Sequence, residues 1–255
     1  PTDRVEGQRP FEVVGVDYAG PINYRDQRKR LATAQMLVFA CSLSRAVHIE
    51  LVGSQKLEDF IVCLKRFIAR RGRPKRIYSD NAQTFKAAAK WIQRIRKSNE
   101  LHSYLEENCI SWQFNLSRAP WWGGQFERMI GLIKQCLYKA AGNAHLDWHE
   151  LEEILLDIEL TLNNRPLSYV EDDVQLPVIP PNTLTFGGTI RNLESNVGDI
   201  QEDLRKRAKF IKKCKENAWK RWRNEYLKSL RERHNMKCKV EARLPLIAGD
   251  VVRRR

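Results

Sequence analysis

Three acidic residues stand where carboxylates could do chemistry in this 255-residue chain. Asp17 follows the apolar stretch "FEVVGV", Asp80 follows the apolar residues of "PKRIYSDN", and Glu127 follows "WWGGQF" at the start of a helical pattern. Acids at the ends of neighbouring strands converge easily, and sites in open α/β sheets form at such edges. Carboxylates suit Mg²⁺, and two such ions about 4 Å apart can hold both oxygens of a phosphoryl displacement. The three acids therefore indicate metal-dependent phosphoryl transfer.

Each acid also has an ordinary structural explanation. An Asp at the end of a strand commonly forms a turn, and an acid in the first turn of a helix stabilises the helix dipole. For each acid taken alone, the structural explanation remains an alternative to a catalytic role. The context favours chemistry, because Lys134 lies two helical turns beyond Glu127 and therefore on the same face. A cation there could contact a phosphate beside the metals.

The elements that must position these acids can be predicted from periodicity. Five strands are expected. The first covers 11–16, and the next two form a hairpin over 32–52 that breaks at "SLSRA". The fourth is a short strand that ends at Asp80, and the fifth lies in "CISWQFNL". Helices are expected over 57–71 closed by Gly72, over roughly 84–107, from Phe126, and over 147–164, with a loop before Phe126 and proline-rich coil over 176–188. This order predicts a mixed α/β fold with one central sheet.

The charge is concentrated at the C-terminal end. Residues 201–255 carry 19 Lys and Arg against 7 Asp and Glu, a net +12 of the total +14. A long basic helix, or two, is expected from 199 to about 237, and it contains Trp219, Trp222 and Tyr226. Such a basic segment favours nucleic-acid contact, with a solvated helix face as the alternative. The two tryptophans are expected to pack.

Two classes of protein are disfavoured by composition. No apolar stretch approaches the roughly 20 residues that span a bilayer, so no membrane association is expected, and no signal-peptide pattern opens the chain. The six cysteines never form Cys-x-x-Cys and most sit in apolar runs, as buried free thiols do. A reducing, intracellular compartment is therefore predicted over a disulfide framework.

Three blocks of sequence carry a resemblance to a known family. "GVDYAGP", "RRGRPKRIYSDN" and "APWWGGQFER" resemble, in order, the blocks around the three acids of the retroviral-type integrase core of the DDE class, and in particular integrases of BEL/Pao long-terminal-repeat retrotransposons. The resemblance implies an α/β, ribonuclease-H-like mixed sheet flanked by helices. It divides the chain into a linker over 1–10, a catalytic core over 11–190, a basic helical segment over 199–238 and the start of a truncated β-barrel module over 239–255.

The resemblance also implies a function and its residues. Asp17, Asp80 and Glu127 would be catalytic and would hold two Mg²⁺ or Mn²⁺ ions. Lys134 matches the family's helix lysine that approaches DNA ends. Further DNA contacts are expected from four other residues, Asn81, Gln83, Arg118 and Trp122, with packing against the core as the alternative for Trp122. The activity would be 3′-end processing of element DNA and its strand transfer into target DNA. A homo-oligomer located in the nucleus, after cytoplasmic synthesis, is expected.

Four features depart from the family pattern. The interval from Asp80 to Glu127 is 47 residues, longer than the best-known 35-residue spacer. Ala82 stands where glycine is usual, which would distort the Asp80 loop unless the backbone is right-handed there. Gly123 stands where retroviruses have glutamine. The zinc module is absent from the sequence, since His145 and His149 have no accompanying Cys-x-x-Cys.

Three rival functions stay open on sequence alone. One is a plain nuclease of the same fold, and another is a DNA-binding protein domesticated from an integrase. The third is an interaction module whose basic helix binds acidic protein. All three acids are present, which disfavours the domesticated protein, and a strong salt dependence of DNA binding would argue against the interaction module.

Overall fold

A five-stranded mixed sheet with helices on both faces forms the centre of the computed structural model. The described residues are 9–80, 82–96, 110–114, 120–142, 144, 146–167, 179–188, 190 and 206–241. The strands are β1 Val13–Arg25, β2 Leu31–Cys41, β3 Val47–Val52, β4 Arg76–Ser79 and β5 Ser111–Phe114. The helices are α1 Leu57–Arg71, α2 Gln83–Arg96, α3 Pro120–Ala141, α4 Trp148–Asn163, α5 Pro181–Phe186 and α6 Lys206–Glu241.

The sheet combines an antiparallel half with a parallel half. Its strand order is β3-β2-β1-β4-β5, where β1 to β3 form an antiparallel meander and β4 and β5 run parallel to β1. Parallel pairing needs a crossover connection, and the helical stripe of α1, closed by Gly72 at φ 85°, supplies the one between β3 and β4. This topology confirms the predicted α/β, ribonuclease-H-like fold class.

The two faces of the sheet are covered by different helices. Val14 and Val16 of β1 belong to a buried cluster with Phe60 and Phe67 of α1. Ala19 points to the other face, in a cluster with the apolar sides of α3 and α4. Since side chains alternate along a strand, the odd-numbered residues of β1 around Asp17 face α3. Asp17 therefore lies on the face of the sheet that is covered by α3, the helix that carries Glu127.

The open edge of β3 is satisfied by side chains of α4. Asn163 accepts from the backbone N–H of Val47 and donates to its carbonyl, each at 2.8 Å, and Glu159 accepts from the N–H of Ile49 at 2.8 Å. An uncovered edge strand is a template for pairing with another chain. The two polar side chains therefore protect β3 and fix α4 against the sheet.

A buried ionic cluster joins α1, β3 and α4. Nε2 of His48 lies 3.0 Å from Glu50, and Nδ1 lies 3.6 Å from Glu159, which also pairs with Arg71. Burial alone would raise the pKa of Glu159, but His48, Arg71 and the N–H of Ile49 hold it below its usual range. Burial would likewise lower the pKa of His48, and the two glutamates raise it instead.

The basic helix α6 packs on the core through one aromatic face. Trp222 is 3% exposed and belongs to the cluster of α3 and α4. Tyr226 stacks on Trp222 and donates to the carbonyl of Pro166 at 2.7 Å. The expected packing of Trp222 is confirmed, while Trp219 stacks on it and stays 38% exposed. Although sequence separates α6 from the core, these contacts join the two.

Several element boundaries differ from the expectations. β1 continues past Asp17 to Arg25, with an irregularity between Ala19 and Ile22, because β2 offers a long antiparallel partner beyond the parallel pairing with β4. A short helix, α5, interrupts the expected coil, since proline is favoured at a helix start. The expected helix over 84–107 is described to 96, and the expected β module over 239–255 lies almost entirely outside the described residues.

Three cysteines have described side chains. Cys41, Cys63 and Cys136 are buried thiols that form no disulfide with one another, as expected. Burial raises the pKa of Cys63 to about 11 and that of Cys136 to about 12, so these thiols stay protonated at neutral pH. None of the described helices combines the length and apolar character that crossing a bilayer requires.

Replacing Glu159 by Gln tests the buried ionic cluster. Gln keeps an acceptor for the N–H of Ile49 but removes the negative charge that pairs with Arg71 and leaves His48 with Glu50 alone. We expect the free energy of unfolding at pH 7 to fall by about 3 kcal/mol, the usual loss when one partner of a buried pair is removed. The pKa of Glu159 is depressed, so its stabilisation is present above the ordinary glutamate pKa of about 4.3 and is lost as pH falls.

Urea unfolding at pH 7 and at pH 4 measures the difference in the free energy of unfolding between Glu159→Gln and wild type. The gap between Glu159→Gln and wild type should narrow at pH 4. Glu152→Gln on the exposed side of the same helix is the matched control and should change stability much less, because the Glu152 side chain is 55% exposed. An equal effect of the two substitutions would contradict the role given to the cluster.

Candidate active site

Asp17 lies within β1 and not at its end. It pairs with Val38 of β2, is half-buried, and its Oδ1 accepts from the backbone N–H of Tyr18 at 2.7 Å. The prediction that the strand ends at Asp17 is therefore wrong. Pairing with β2 at Asp17, and with β4 up to Val16, holds the backbone of this segment in place. The position from which the Asp17 carboxylate extends is therefore fixed.

Asp80 follows β4 directly, as predicted. The parallel register places Val16 opposite Ser79, and one step further Asp17 comes opposite Asp80. Adjacent strands lie about 4.8 Å apart, so the two backbones meet at the same edge of the sheet. The Asp80 Oδ1 also accepts from the N–H of Ala82 at 2.9 Å, which means that Asp80 forms a turn as well as offering an exposed carboxylate. Ala82 has no positive φ, so the missing glycine causes no backbone strain there.

Glu127 lies in the third turn of α3 and not at its start. The helix begins at Pro120, so the loop expected before Phe126 is wrong and Gly123 and Gly124 are helical. Proline is pre-organised for the first helical position, and the packing of the helix outweighs the cost of about 1 kcal/mol per internal glycine. The first turn contains no acid. Stabilisation of the helix dipole therefore does not explain Glu127.

The charges of the predicted site meet at Asp17. Burial is the largest cause that raises the pKa of Asp17 to about 6, and the Tyr18 N–H opposes it. Negative charge on Asp80 and on Glu127 raises this pKa further, and the positive charge of Lys134 lowers it. Three charged groups thus act electrostatically on Asp17. Glu127 and Lys134 are both exposed on α3, while Ile133 between them is fully buried.

Carboxylates gathered in this way suit a divalent cation. Three oxygen-bearing acids with a partly buried member and mutual repulsion offer the donor set that Mg²⁺ or Mn²⁺ prefers. Within the part of the chain that the structure describes, no three acidic, His or Cys side chains stand close enough to form a ready-made metal group. Asp80 and Glu127 are both exposed to solvent.

The five expected DNA-contact residues have different outcomes. Gln83 is exposed at the first residue of α2, after Asp80, and Lys134 is exposed on α3. Asn81 and Arg118 lie outside the described residues, as does the side chain of Trp122, whose backbone belongs to α3. Their roles stay predictions.

Two features near the site were not predicted. Lys139 of α3 pairs with Glu225 of α6 and is only 15% exposed, so it holds the two helices together. A cavity of about 620 Å³ lies beside Lys134, between β1 and the second half of α3. In the sequence, Tyr138 stands one helical turn beyond Lys134, which places both on the same side of the helix. In the structure, Tyr138 is 71% exposed and lines the cavity.

No protein-family model matches the sequence, and no curated protein matches it. Among solved structures, one likeness is to a chain of the cryo-EM structure of the simian T-cell lymphotropic virus intasome in complex with PP2A regulatory subunit B56 gamma. The TM-score is 0.49 and the identity 18%, over 78% of this chain and 61% of that chain. This chain therefore spans less than two thirds of that relative.

Two further likenesses are to the HTLV-2 integrase catalytic core domain in complex with magnesium. The trimeric form gives a TM-score of 0.46 and the dimeric form 0.45, both at 18% identity over 70% of this chain and 99% of the core domain. At this level the likeness concerns the course of the backbone. The function is argued from the side chains of this protein.

The electrostatic convergence can be tested by replacing Glu127 with Gln. This removes one of the two carboxylate charges that raise the pKa of Asp17. We expect that pKa to fall from about 6 toward the ordinary value near 3.9 without reaching it, because burial is the larger cause. Carbon-13 NMR titration of the aspartate carboxyl groups in metal-free protein measures the change.

Glu152→Gln on α4 removes the same charge away from the site and serves as the control. It should leave the titration of Asp17 unaltered. If Glu127→Gln also left it unaltered, Glu127 would not face Asp17, and the assignment of the third acid would fail.

Proposed function

We propose that this protein is a metal-dependent polynucleotidyl transferase of the integrase type, which trims DNA 3′ ends and joins them to target DNA. One observation carries the proposal: the three acids come from adjacent elements. The parallel pairing of β1 with β4 ends directly before Asp17 and Asp80, and α3, which carries Glu127, packs on the Asp17 face of the sheet. The block resemblance supports the same class of reaction.

The acids would hold two divalent cations. Asp17, fixed by its strand, and Asp80, at the start of its turn, would share one side of the site, and Glu127 would close it from α3. Bound metal ions stabilise charge on the attacking and leaving oxygens of a phosphoryl displacement and lower the pKa of the nucleophile. A dedicated histidine base is therefore not required. The nucleophile would be water in end processing and a 3′-hydroxyl in strand transfer.

Lys134 would bind the DNA strand beside the reacting phosphate. It extends from the same face of α3 as Glu127, about 10 Å along the helix axis at 1.5 Å per residue. A lysine ammonium is a point charge that neutralises a phosphate without demanding one orientation. Gln83, exposed at the start of α2, would approach the same strand from the Asp80 side.

The outer face of α6 would supply sequence-independent DNA binding. Lys213, Lys220 and Arg231 are exposed and recur at intervals of seven and eleven residues, which places them on one side of the helix. Trp222 lies on the opposite side, against the core. The helix therefore presents a basic stripe to solvent while its aromatic face holds it in place, and such a stripe suits a polyanion.

The finer parts of the proposal follow from the resemblance. They are the BEL/Pao retrotransposon type, element ends as the donor DNA, a homo-oligomer as the working assembly and a nuclear location. The HTLV-2 core domain was solved in dimeric and trimeric forms and with magnesium, which is compatible with an oligomer and with a divalent metal here.

Asp80→Asn tests the chemistry. The substitution keeps the shape and the acceptor for the N–H of Ala82 but removes the charge that would bind metal. We expect strand transfer and end cleavage with Mn²⁺ or Mg²⁺ to fall at least a thousandfold, while DNA affinity stays within about twofold. Oligonucleotide joining and cleavage assays on candidate element ends measure both steps.

Asp26→Asn in the β1–β2 turn is the matched control, since Asp26 also accepts backbone N–H groups from an exposed turn. It should keep full activity. If Asp80→Asn retained strand transfer, the site would be wrongly assigned. Wild-type cleavage without joining would favour a plain nuclease of this fold.

A triple substitution of Lys213, Lys220 and Arg231 by Gln tests the basic stripe. The log–log salt slope of DNA binding should decrease by about 0.9 for every phosphate that the variant no longer neutralises, so we expect a flatter slope and weaker binding at moderate salt. Fluorescence anisotropy with a duplex of unrelated sequence measures this. Substitution is preferred to deletion of α6, because deletion would also remove Trp222 from the core.

A control triple of Arg28, Lys56 and Lys65 to Gln removes the same charge from exposed positions elsewhere. Both variants should melt like wild type. If the control flattened the slope as much as the α6 variant, net charge rather than the stripe would drive binding.

A further inference from the structure

The cavity beside Lys134 has an apolar floor and a polar rim. Met36 of β2 and Leu146 and Leu151 below α3 are buried and form part of its wall. Asn23 of β1 and Lys134 of α3 are exposed at its edge. The volume of about 620 Å³ falls in the range of small-ligand sites and is large enough for one nucleotide.

The irregular part of β1 forms the wall opposite α3. The register between β1 and β2 shifts between Ala19 and Ile22, and Gly20 lies in that interval. A Cβ at Gly20 would stand 2.3 Å from the side-chain oxygen of Gln35 and 3.3 Å from the carbonyl of Ala34. An added Cβ would displace the end of the Gln35 side chain and crowd the carbonyl of Ala34, so glycine gives the closest fit in this part of the strand.

The cavity and the proposed active site share Lys134. Lys134 belongs to the lining of the cavity, and the charge of the same residue acts on Asp17. Glu127, Lys134 and Tyr138 are spaced by seven and four residues, so they share one exposed face of α3. At 1.5 Å per residue, Tyr138 lies about 6 Å beyond Lys134, a distance comparable to the length of one nucleotide.

Tyr138 has the properties of a stacking platform. It lines the cavity and is 71% exposed, so its ring is accessible to a ligand. Aromatic rings stack on any nucleobase, because every base has a π face. Asn23 across the cavity offers one amide donor and one acceptor, the pair that matches the edge of adenine.

We propose that this cavity receives one unpaired nucleotide of the DNA strand held at Asp17, Asp80 and Glu127. Its base stacks on Tyr138, its phosphate pairs with Lys134, and its base edge contacts Asn23. The nucleotide must be unpaired, since a base within a duplex cannot enter a cavity of this size without leaving the stack. The inference rests on the proposed function and deepens it, because it makes the protein selective for frayed or overhanging ends.

The test measures binding by the full chain without metal. Duplex ends that carry a short overhang are compared with the same ends in which one overhang nucleotide at a time is abasic. We expect wild type to bind the intact overhang about tenfold more tightly than one abasic analogue, the ratio for loss of one stacked base. Tyr138→Ala should abolish the difference and Tyr138→Phe should keep it, because phenylalanine retains the stacking ring.

Two controls separate stacking from other effects. Leu156→Ala on α4 also truncates an exposed large side chain, which is 58% exposed and outside the cavity, and it should keep the tenfold difference. Asn23→Ala should keep stacking but remove any preference for adenine at the sensitive position. Thermal melts of the variants should match that of wild type.

The possible failures are distinguishable. Equal binding of every abasic series by wild type, or a difference that survives in Tyr138→Ala, would overturn the inference. Failure of the proposed function would show instead as no metal-dependent cleavage or joining by wild type with any end. A base preference that depends on Tyr138 and is measured without metal would still support the nucleotide site in that case.

Discussion

Four residue pairs, from Val13–Arg76 to Val16–Ser79, hold β1 parallel to β4, and the site depends on this register. It brings Asp17 opposite Asp80, although 62 residues separate them in sequence. A slip of one residue would turn Asp17 to the face of α1, because side chains alternate along a strand. The buried Val14 and Val16 oppose such a slip, since they would have to leave the apolar cluster beneath that face.

The third acid depends on how α3 packs. Ile133 is fully buried on the Asp17 face of the sheet, and Glu127 and Lys134 stand on the exposed side of the same helix. Burial raises the pKa of Asp17, and the two other acids raise it further. A site of this kind destabilises its own ionised form, and a bound cation would relieve that repulsion. The ionic cluster around Glu159, at the β3 edge of the sheet, is balanced internally by Arg71 and His48.

The basic helix α6 combines two properties, and the sequence alone did not show which side of the helix carries which. Its positive charge predicted contact with a polyanion, and its tryptophans predicted packing against the core. In the structure the two properties occupy opposite sides of α6: Trp222 is in the core and the exposed lysines face away. Tyr226 and the Lys139–Glu225 pair add polar contacts between α6 and the core. DNA binding by α6 would therefore be mechanically coupled to the helix that carries Glu127.

Periodicity and residue type alone determined the order of strands and helices, the α/β class and the three candidate acids, because local patterns of burial are written in the sequence. The end of β1 and the start of α3 were decided by tertiary structure. β1 runs past Asp17 because β2 continues to offer hydrogen-bond partners, and α3 includes its two glycines because packing outweighs local propensity. Only the fold could place Tyr138 and Asn23 around one cavity, since their proximity depends on strand register and helix rotation together.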